Sequence, residues 1–394
     1  MPLRRAGAFL MARRLRYAMV GGGTGSFIGP VHRIAARIDD RWELVAGAFS
    51  SNPARSAEVS TECHIAAERA YPDWQSMIAA EAARPAAERI DAVAIVTPNH
   101  LHAAPAIAAL DAGFHVICDK PLAASFEEGR RIAEAVSRSG RLFVLTHVYT
   151  GYPMVREMRR LVQSGALGTI RIVRAEYAQD WLTRPLEREG HKQAEWRSDP
   201  QRSGPAGALG DIGTHAFHLA SFVTDLQAEA LCADLSSFGA GRQLDDNAHI
   251  LLRYPTGVKG TLWASQVAPG RGNRLWLGVY GSEGGVEWSQ EEPNTLRFTR
   301  IGEAPQRIER GNPACTAGNY VTRAPRGHPE GWLEAFAQIY TDAADLITGS
   351  TEDRAASLAP QIEAGLDGMA FISGALRSNA RNAWLSRDEW TDNQ

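Results

Sequence analysis

Val20-Gly21-Gly22-Gly23-Thr24-Gly25-Ser26-Phe27-Ile28-Gly29 sets the architecture of the first part of the chain. It follows a short apolar strand at 17–20 and opens a helical stretch that runs through Ala35. Glycines at such a strand-to-helix turn let the backbone reverse sharply and approach a pyrophosphate, which then lies at the helix N-terminus. Gly21 and Gly23 fit the first two glycine positions, but five residues rather than two separate Gly23 from Gly29. The strand before and the helix after give this loop its meaning.

Outward from the loop, strand and helix alternate. Residues 43–49, 92–96, 115–118 and 142–145 read as strands, and 53–60, 73–83, 102–112 and 125–139 as helices. Such alternation predicts a parallel sheet wrapped by helices, the Rossmann arrangement of an α/β protein. After about residue 150 the rhythm changes. A helix at 153–164 precedes alternating segments near 169–180, 228–238, 247–254, 258–268, 275–281 and 294–299, with turn signals at 255–257 and 281–285. These predict a second α/β domain with a large open, mostly antiparallel sheet, closed by helices near 330–348 and 356–377. The expected division is 1–147 and 148–394, with the final helices free to pack back on the first domain.

Composition narrows the class. A chain of 394 residues exceeds one ordinary core. Its net charge of −3 gives no general pull toward nucleic acid or an anionic membrane. The basic pairs Arg4-Arg5 and Arg13-Arg14 read as a solvated tail, and Met11 offers an alternative start. No apolar run approaches the roughly 18 residues a bilayer span needs, and no signal peptide is read. Cys63, Cys118, Cys232 and Cys315 are too scattered for a zinc ribbon or a disulfide framework. A cytoplasmic setting is expected.

Chemistry concentrates at strand ends. The second strand ends in Phe49-Ser50-Ser51-Asn52-Pro53-Ala54-Arg55, with no carboxylate for a ribose 2′-hydroxyl. Ser50, Ser51 and Arg55 accept a 2′-phosphate without repulsion, so the reading leans to NADP over NAD. Thr97-Pro98-Asn99-His100-Leu101-His102 and Cys118-Asp119-Lys120-Pro121 follow the third and fourth strands, where parallel sheets bind ligands. Further on, Leu209-Gly210-Asp211-Ile212-Gly213-Thr214-His215 predicts a helix with Asp211 and His215 one turn apart and His218 close behind. Ile212, Ala216, Leu219, Ala220 and Val223 form its apolar seat. Between 177 and 207, Tyr177, Gln179, Asp180, Trp181, Trp196 and Arg197 mix aromatic faces with hydrogen-bonding groups, a combination suited to a sugar ring. Tyr149 joins Gln179, Trp181, Trp196, Arg197 and His218 as a substrate candidate.

Four motifs in this order resemble the glucose–fructose oxidoreductase / inositol dehydrogenase (Gfo/Idh/MocA) family. They are the Gly-rich turn, Thr-Pro-Asn-x-Leu-His at 97–102, Asp-Lys-Pro at 119–121 and Gly-Asp-Ile-Gly-Thr-His at 210–215. The resemblance implies NAD(P)-dependent chemistry on sugars, inositols or related polyols, and a homodimer or homotetramer. It implies that Gly21, Gly23, Thr24, Phe27, Ile28, Ser50, Ser51, Arg55, Thr97, Pro98, Asn99, His102, Asp119 and Lys120 hold the cofactor. Lys120, Asp211 and His215 are its catalytic group. Three departures stand out: the longer glycine loop, Asp119 in place of the family's Glu, and His218 where many members have Asp.

The expected reaction is hydride transfer, with His215, whose imidazole titrates near neutral pH, or else Lys120 taking the hydroxyl proton. Lys120 stabilises the developing alkoxide. Two rivals share the residues. Asp211, His215 and His218 have a spacing that suits metal ligands, though no metal is expected because Lys120 explains a hydride enzyme better. A non-catalytic dinucleotide sensor is the alternative, and it would be expected to lack Lys120 or His215.

Overall fold

The computed structural model describes residues 13–349 and 357–391. Arg4-Arg5 and Met11 lie outside the described residues. The chain divides into two compact units. One holds 13–123, 127–148 and the described part of 332–366; the other holds 124–126, 149–331 and 367 onward.

The first unit runs β1 (Leu15–Gly21), α1 (Ile28–Ile38), β2 (Trp42–Ala48), α2 (Pro53–Glu62), α3 (Trp74–Ala83), β3 (Ala92–Val96), α4 (Ala103–Asp111), β4 (His115–Cys118), α5 (Phe126–Ser139) and β5 (Phe143–Leu145). Its strands are parallel in the order β2-β1-β3-β4-β5. All five side chains of β3 are buried, as a central strand covered on both faces requires. The chain leaves β1 for β2 on one side and meets β3 on the other, which makes the β1–β3 edge the topological switch point. Register sets the loops there: Gly21 pairs with Val96, Ile95 with Cys118, and Cys118 with Leu145. The glycine turn, the Thr97 turn and Asp119-Lys120 therefore all leave the sheet at one edge.

The helix over Trp332–Ile347 belongs to this unit and packs on α1. His32 Nδ1 lies 2.8 Å from the Tyr340 hydroxyl, and Trp42 donates its indole N–H to the Tyr340 carbonyl at 2.8 Å.

The second unit carries α6 (Pro153–Gln163), β6 (Ile170–Ala178), α7 (Lys192–Arg197), α8 (Pro200–Ser203), α9 (Thr214–Thr224), β7 (Ala230–Ser236), β8 (Asn247–Arg253), β9 (Lys259–Ser265), β10 (Arg274–Gly281), β11 (Gly284–Ser289), β12 (Thr295–Arg300), β13 (Gln306–Glu309), α10 (Thr316–Val321) and β14 (Leu385–Ser386). Its sheet has the order β13-β12-β11-β10-β6-β9-β8-β7-β14. The pairings are antiparallel except β6 with β9.

The strands β11, β13 and β14 are additions to the sequence reading. The 281–285 run is indeed a turn, but Gly284 and Gly285 already belong to β11. A Cβ on Gly284 would stand 2.5 Å from the Thr299 carbonyl oxygen, so the hairpin closes only around glycine. α6, α9 and the later part of the helix over Ile362–Arg381 provide buried apolar surface, with Phe217 stacked on Phe371 at 4.1 Å. The other sheet face leaves Ile172 and Leu251 exposed.

Candidate active site

In the first unit the glycine loop is built by close approach. A Cβ on Gly29 would fall 2.4 Å from Gly22 Cα, so α1 meets the turn after β1 backbone to backbone. Gly22, at φ +77°, is the packing partner that the sequence reading passed over for Gly21 and Gly23. Gly23 lies against the end of β2, where a Cβ would come 2.6 Å from the Phe49 carbonyl oxygen. At the start of α1, Phe27 makes no capping bond and Ser26 Oγ accepts the Gly29 amide at 3.2 Å, so the other first-turn amides carry no side-chain cap. Thr24 and Phe27 are exposed, and the Phe27 ring stacks on Trp332 at 5.8 Å. This cradle fits a pyrophosphate.

At the end of β2, Ser50 Oγ accepts the Asn52 amide (3.1 Å) and Asn52 Oδ1 accepts the Arg55 amide (3.2 Å), which caps α2. Ser51 and Arg55 are exposed. After β3, Thr97 donates its hydroxyl to the Leu101 carbonyl at 3.2 Å. His102 is fully buried, with its ring nitrogens 2.8 Å from the Thr97 carbonyl and 2.9 Å from that of Pro121. Burial pushes its pKa down, against the opposing pull of the Thr97 and Pro121 carbonyls. It braces the Thr97 and Pro121 turns against one another.

Asp119 leads Lys120 out of β4. Its Oδ1 accepts the Thr146 hydroxyl at 2.8 Å and lies 3.9 Å from His32 Nε2. Burial pushes the carboxyl up, but His32, Lys120 and Thr146 outweigh it and hold the group well below the usual carboxylate range. Lys120 is half-buried beside this fixed anion.

The second unit assembles a polar cluster around His215. Residues 209–213 form a π-helical turn, and α9 begins only at Thr214. This corrects the expected single helix: Asp211 sits in the wide turn and His215 in the α-helix proper. Such turns recur at functional sites. Asp245 anchors the turn, its carboxylate accepting the Gly207 and Leu209 amides at 2.7 Å each. The expected apolar seat holds, since Ile212, Ala216, Leu219, Ala220 and Val223 are all buried.

Asp211 Oδ2 accepts from Arg197 Nε (3.2 Å) and Gln266 Nε2 (2.9 Å). The His215 ring meets Tyr149 edge to face at 4.9 Å and Tyr177 at 6.2 Å. The two phenol hydroxyls share a short hydrogen bond. Tyr177 donates to Asn273 Oδ1 at 2.9 Å, Gln179 Nε2 to the same oxygen at 2.7 Å, and Trp181 Nε1 to Gln179 Oε1 at 3.0 Å. Gln193 Oε1 ties Trp196 and Arg197 together, at 3.1 and 2.7 Å.

Strand register explains the gathering. Tyr177 and Gln179 are two residues apart and share a face. Because Arg274 pairs with Ala178, Asn273 falls opposite Gln179. Gln179 and Gln266 are neighbours because Ala178 pairs with Ser265 in the parallel β6–β9 ladder.

Tyr149, Gln179, Trp181, Trp196 and Arg197 thus belong with Asp211 and His215. His218 stands apart in its aromatic contact, stacked on Phe222 at 6.3 Å. Gln266 and Asn273 were missed, because a loop amide carries no motif; only the pairing of strands far apart in sequence brings them in. Among the described residues, no group of three His, Cys, Asp or Glu side chains is arranged to hold a metal ion. No described helix is long and apolar enough to cross a membrane.

A switch-point glycine cradle in one unit and an amide-rich, aromatic-edged cluster in the other define an oxidoreductase of the two-unit dinucleotide-binding class. Residues 15–147 match the oxidoreductase family with an NAD-binding Rossmann fold, and 155–287 match the GFO/IDH/MocA C-terminal domain. The chain belongs to this GFO/IDH/MocA oxidoreductase family.

It is 34% identical over 391 residues to an uncharacterized oxidoreductase, YfiI, of Bacillus subtilis (strain 168), covering 96% of this chain and 98% of that one. An inositol dehydrogenase homolog from Azotobacter vinelandii, solved with NAD+, is 35% identical with a TM-score of 0.90, covering 95% and 98%. Levoglucosan dehydrogenase of Pseudarthrobacter phenanthrenivorans (strain DSM 18606 / JCM 16027 / LMG 23796 / Sphe3) is 29% identical over 325 residues, covering 75% and 78%. The cofactor in the solved homolog is NAD+, which lends no support to the lean toward NADP.

Proposed function

We propose that the chain is a nicotinamide-dinucleotide-dependent dehydrogenase acting on a hydroxyl-bearing carbon of a sugar, inositol or related polyol. The carrying observation is the cluster around His215, where an ion-paired carboxylate, four amides, two phenols and two indoles lie within one hydrogen-bonded set. Many hydrogen-bonding groups edged by aromatic rings suit a ligand that is itself a ring of hydroxyls. Solved relatives hold NADH with myo-inositol or with levoglucosan, which supports the same ligand class.

Gly21, Gly23, Thr24, Phe27 and Ile28 would hold the pyrophosphate, with Ser50, Ser51 and Arg55 at the adenosine ribose and Thr97, Pro98, Asn99 and Asp119 nearer the nicotinamide. His102 braces these last turns from behind. When bound, the coenzyme supplies the hydride-accepting C4. His215 takes the hydroxyl proton, Asp211 binds a neighbouring hydroxyl or orients the imidazole, and the Lys120 ammonium stabilises the oxygen as its negative charge grows. Tyr149, Gln179, Trp181, Trp196 and Arg197 hold the ring, and His218 borders it from α9.

NAD is the coenzyme to try first, given the relatives' complexes; Ser50 and Arg55 make NADP the direct competitor. The uncovered sheet face, with Ile172 and Leu251, supports a homodimer or homotetramer, which light scattering tests. The four free thiols suit a cytoplasmic chain.

The test is a reduced-coenzyme absorbance screen over inositols, levoglucosan, other sugars and keto-sugars, run with both NAD and NADP. Coenzyme reduction with at least one polyol is expected. Coenzyme binding without turnover on any of them would favour a non-catalytic sensor instead.

A further inference from the structure

The hydrogen bonds around Gln179 have a direction, and chemistry settles it at both ends. An indole N–H only donates, and a carboxylate only accepts. Trp181 Nε1 lies 3.0 Å from Gln179 Oε1, so that atom must be the amide oxygen. Independently, Gln266 Nε2 donates to the Asp211 carboxylate at 2.9 Å, and the same nitrogen lies 3.5 Å from Gln179 Oε1. Two anchors of opposite character therefore give the same orientation of the Gln179 amide.

The rest follows link by link. With its oxygen committed, Gln179 turns Nε2 toward Asn273, which must present Oδ1 at 2.7 Å. That oxygen has no proton, so the Tyr177 hydroxyl 2.9 Å away donates to it. A phenol carries one proton. Tyr177 can then meet Tyr149 only as an acceptor, and the Tyr149 proton points at Tyr177. Burial raises the pKa of both phenols above the ordinary value, so both are neutral. Tyr149, packed against the His215 ring and within hydrogen-bonding reach of Asn273, has its proton committed and offers a further partner lone pairs alone.

We infer that Trp181, Gln179 and Asn273 are positioning residues that fix this proton direction, so that Tyr149 reads the substrate as a hydrogen-bond acceptor. Resting on the polyol reading above, this makes Tyr149 a specificity-determining residue. It favours a hydroxyl that donates over a carbonyl, an ether oxygen or a fluorine, none of which can donate.

Two variants of matched shape and charge separate this from a structural role. Asn273→Asp keeps an acceptor for Tyr177 and strengthens it, so Tyr149 becomes a better donor to Tyr177. Gln179→Glu, studied at alkaline pH, still accepts from Trp181 and Gln266 but removes the N–H that Asn273 Oδ1 accepts. The Asn273 amide then turns its Nδ2 toward the new carboxylate and toward Tyr177. Tyr177 in turn donates to Tyr149.

The readout is the infrared C–O stretch of Tyr149 in protein with isotope-labelled tyrosine, isolated by subtraction of a Tyr149→Phe sample. The band is expected to move in opposite senses in the two variants. Shifts of the same sense, or a wild-type band characteristic of an accepting-only phenol, would overturn the inference. Should Gln179→Glu not fold, Gln179→Leu frees Asn273 to turn over and splits the band in two; one unsplit donor band would count against the inference. No ligand is needed for these measurements. A protein that turns over no polyol but shows opposite shifts defeats only the catalytic reading, and active protein with parallel shifts defeats only this one.

Discussion

Gln266 Nε2 donates to Asp211 Oδ2 at 2.9 Å, and that bond ties the π-helical turn to the segment following β9. A hydrogen bond to a charged group contributes ~1.5–3 kcal/mol. Gln266→Leu is therefore expected to lower kcat/KM by about ten- to a hundred-fold on the substrate found by the screen. Arg197 still pairs with the carboxylate, so the variant should fold. Steady-state kinetics beside a thermal melt will show this as lost activity in a protein that still unfolds cooperatively, at a lower Tm.

The contact of Gly22 with Gly29 makes a separate prediction. A methyl on Gly29 would stand 2.4 Å from Gly22 Cα, so Gly29→Ala must push α1 off the turn after β1. Overpacking of this kind costs ~1–3 kcal/mol. Coenzyme titration is expected to show Kd raised at least about ten-fold, with a lower Tm. Unchanged coenzyme affinity would mean that the cradle does not hold the pyrophosphate.

His218 predicts a pH dependence of stability. Burial pushes its pKa down to about 3, against about 6.5 in the unfolded chain. Below about pH 6.5 the unfolded state takes up a proton that the folded state refuses. Stability is thus fully present above that value and is lost as pH falls toward 3. His102, also lowered by burial, acts with the same sign. Melts across this window should slope less steeply for His218→Gln than for the wild type; identical slopes would show that His218 protonates freely in the fold.

Arg310 and Glu330 form an ion pair at 3.1 Å with both side chains 2% exposed. Glu330 Oε1 also accepts the Arg323 and Ala324 amides, and Arg310 Nε donates to Asn294 Oδ1 at 2.8 Å. Removing one partner strands a buried charge, so Arg310→Met should cost ~3–5 kcal/mol in a urea melt. Adding Glu330→Leu is expected to restore part of that loss.

The parallel half of the fold was legible because each signal was local. Residues 92–96 and 115–118 are short apolar runs bounded by turn chemistry, and β3 and β4 occupy those positions. Lys120 could be singled out for the same reason, since it follows a buried strand and precedes a proline. The second unit was harder. β11 begins inside a Gly-Gly pair that looks like nothing but turn, and β13 is a short edge strand with an open face. The π-helical turn at 209–213 leaves no mark in a run that suits an α-helix equally well. Gln266 and Asn273 enter the site through strand register, a relation between distant segments that no local pattern encodes.

Whether Lys120 and His215 serve one hydride transfer is tested by reduced-coenzyme formation in Lys120→Met at saturating polyol. A positioned acid–base or charge-stabilising group contributes about 10²–10⁴-fold. A loss in that range is expected while coenzyme still binds, with a matching loss for His215→Asn. A Lys120→Met protein that reduces coenzyme at the wild-type rate would contradict that shared role.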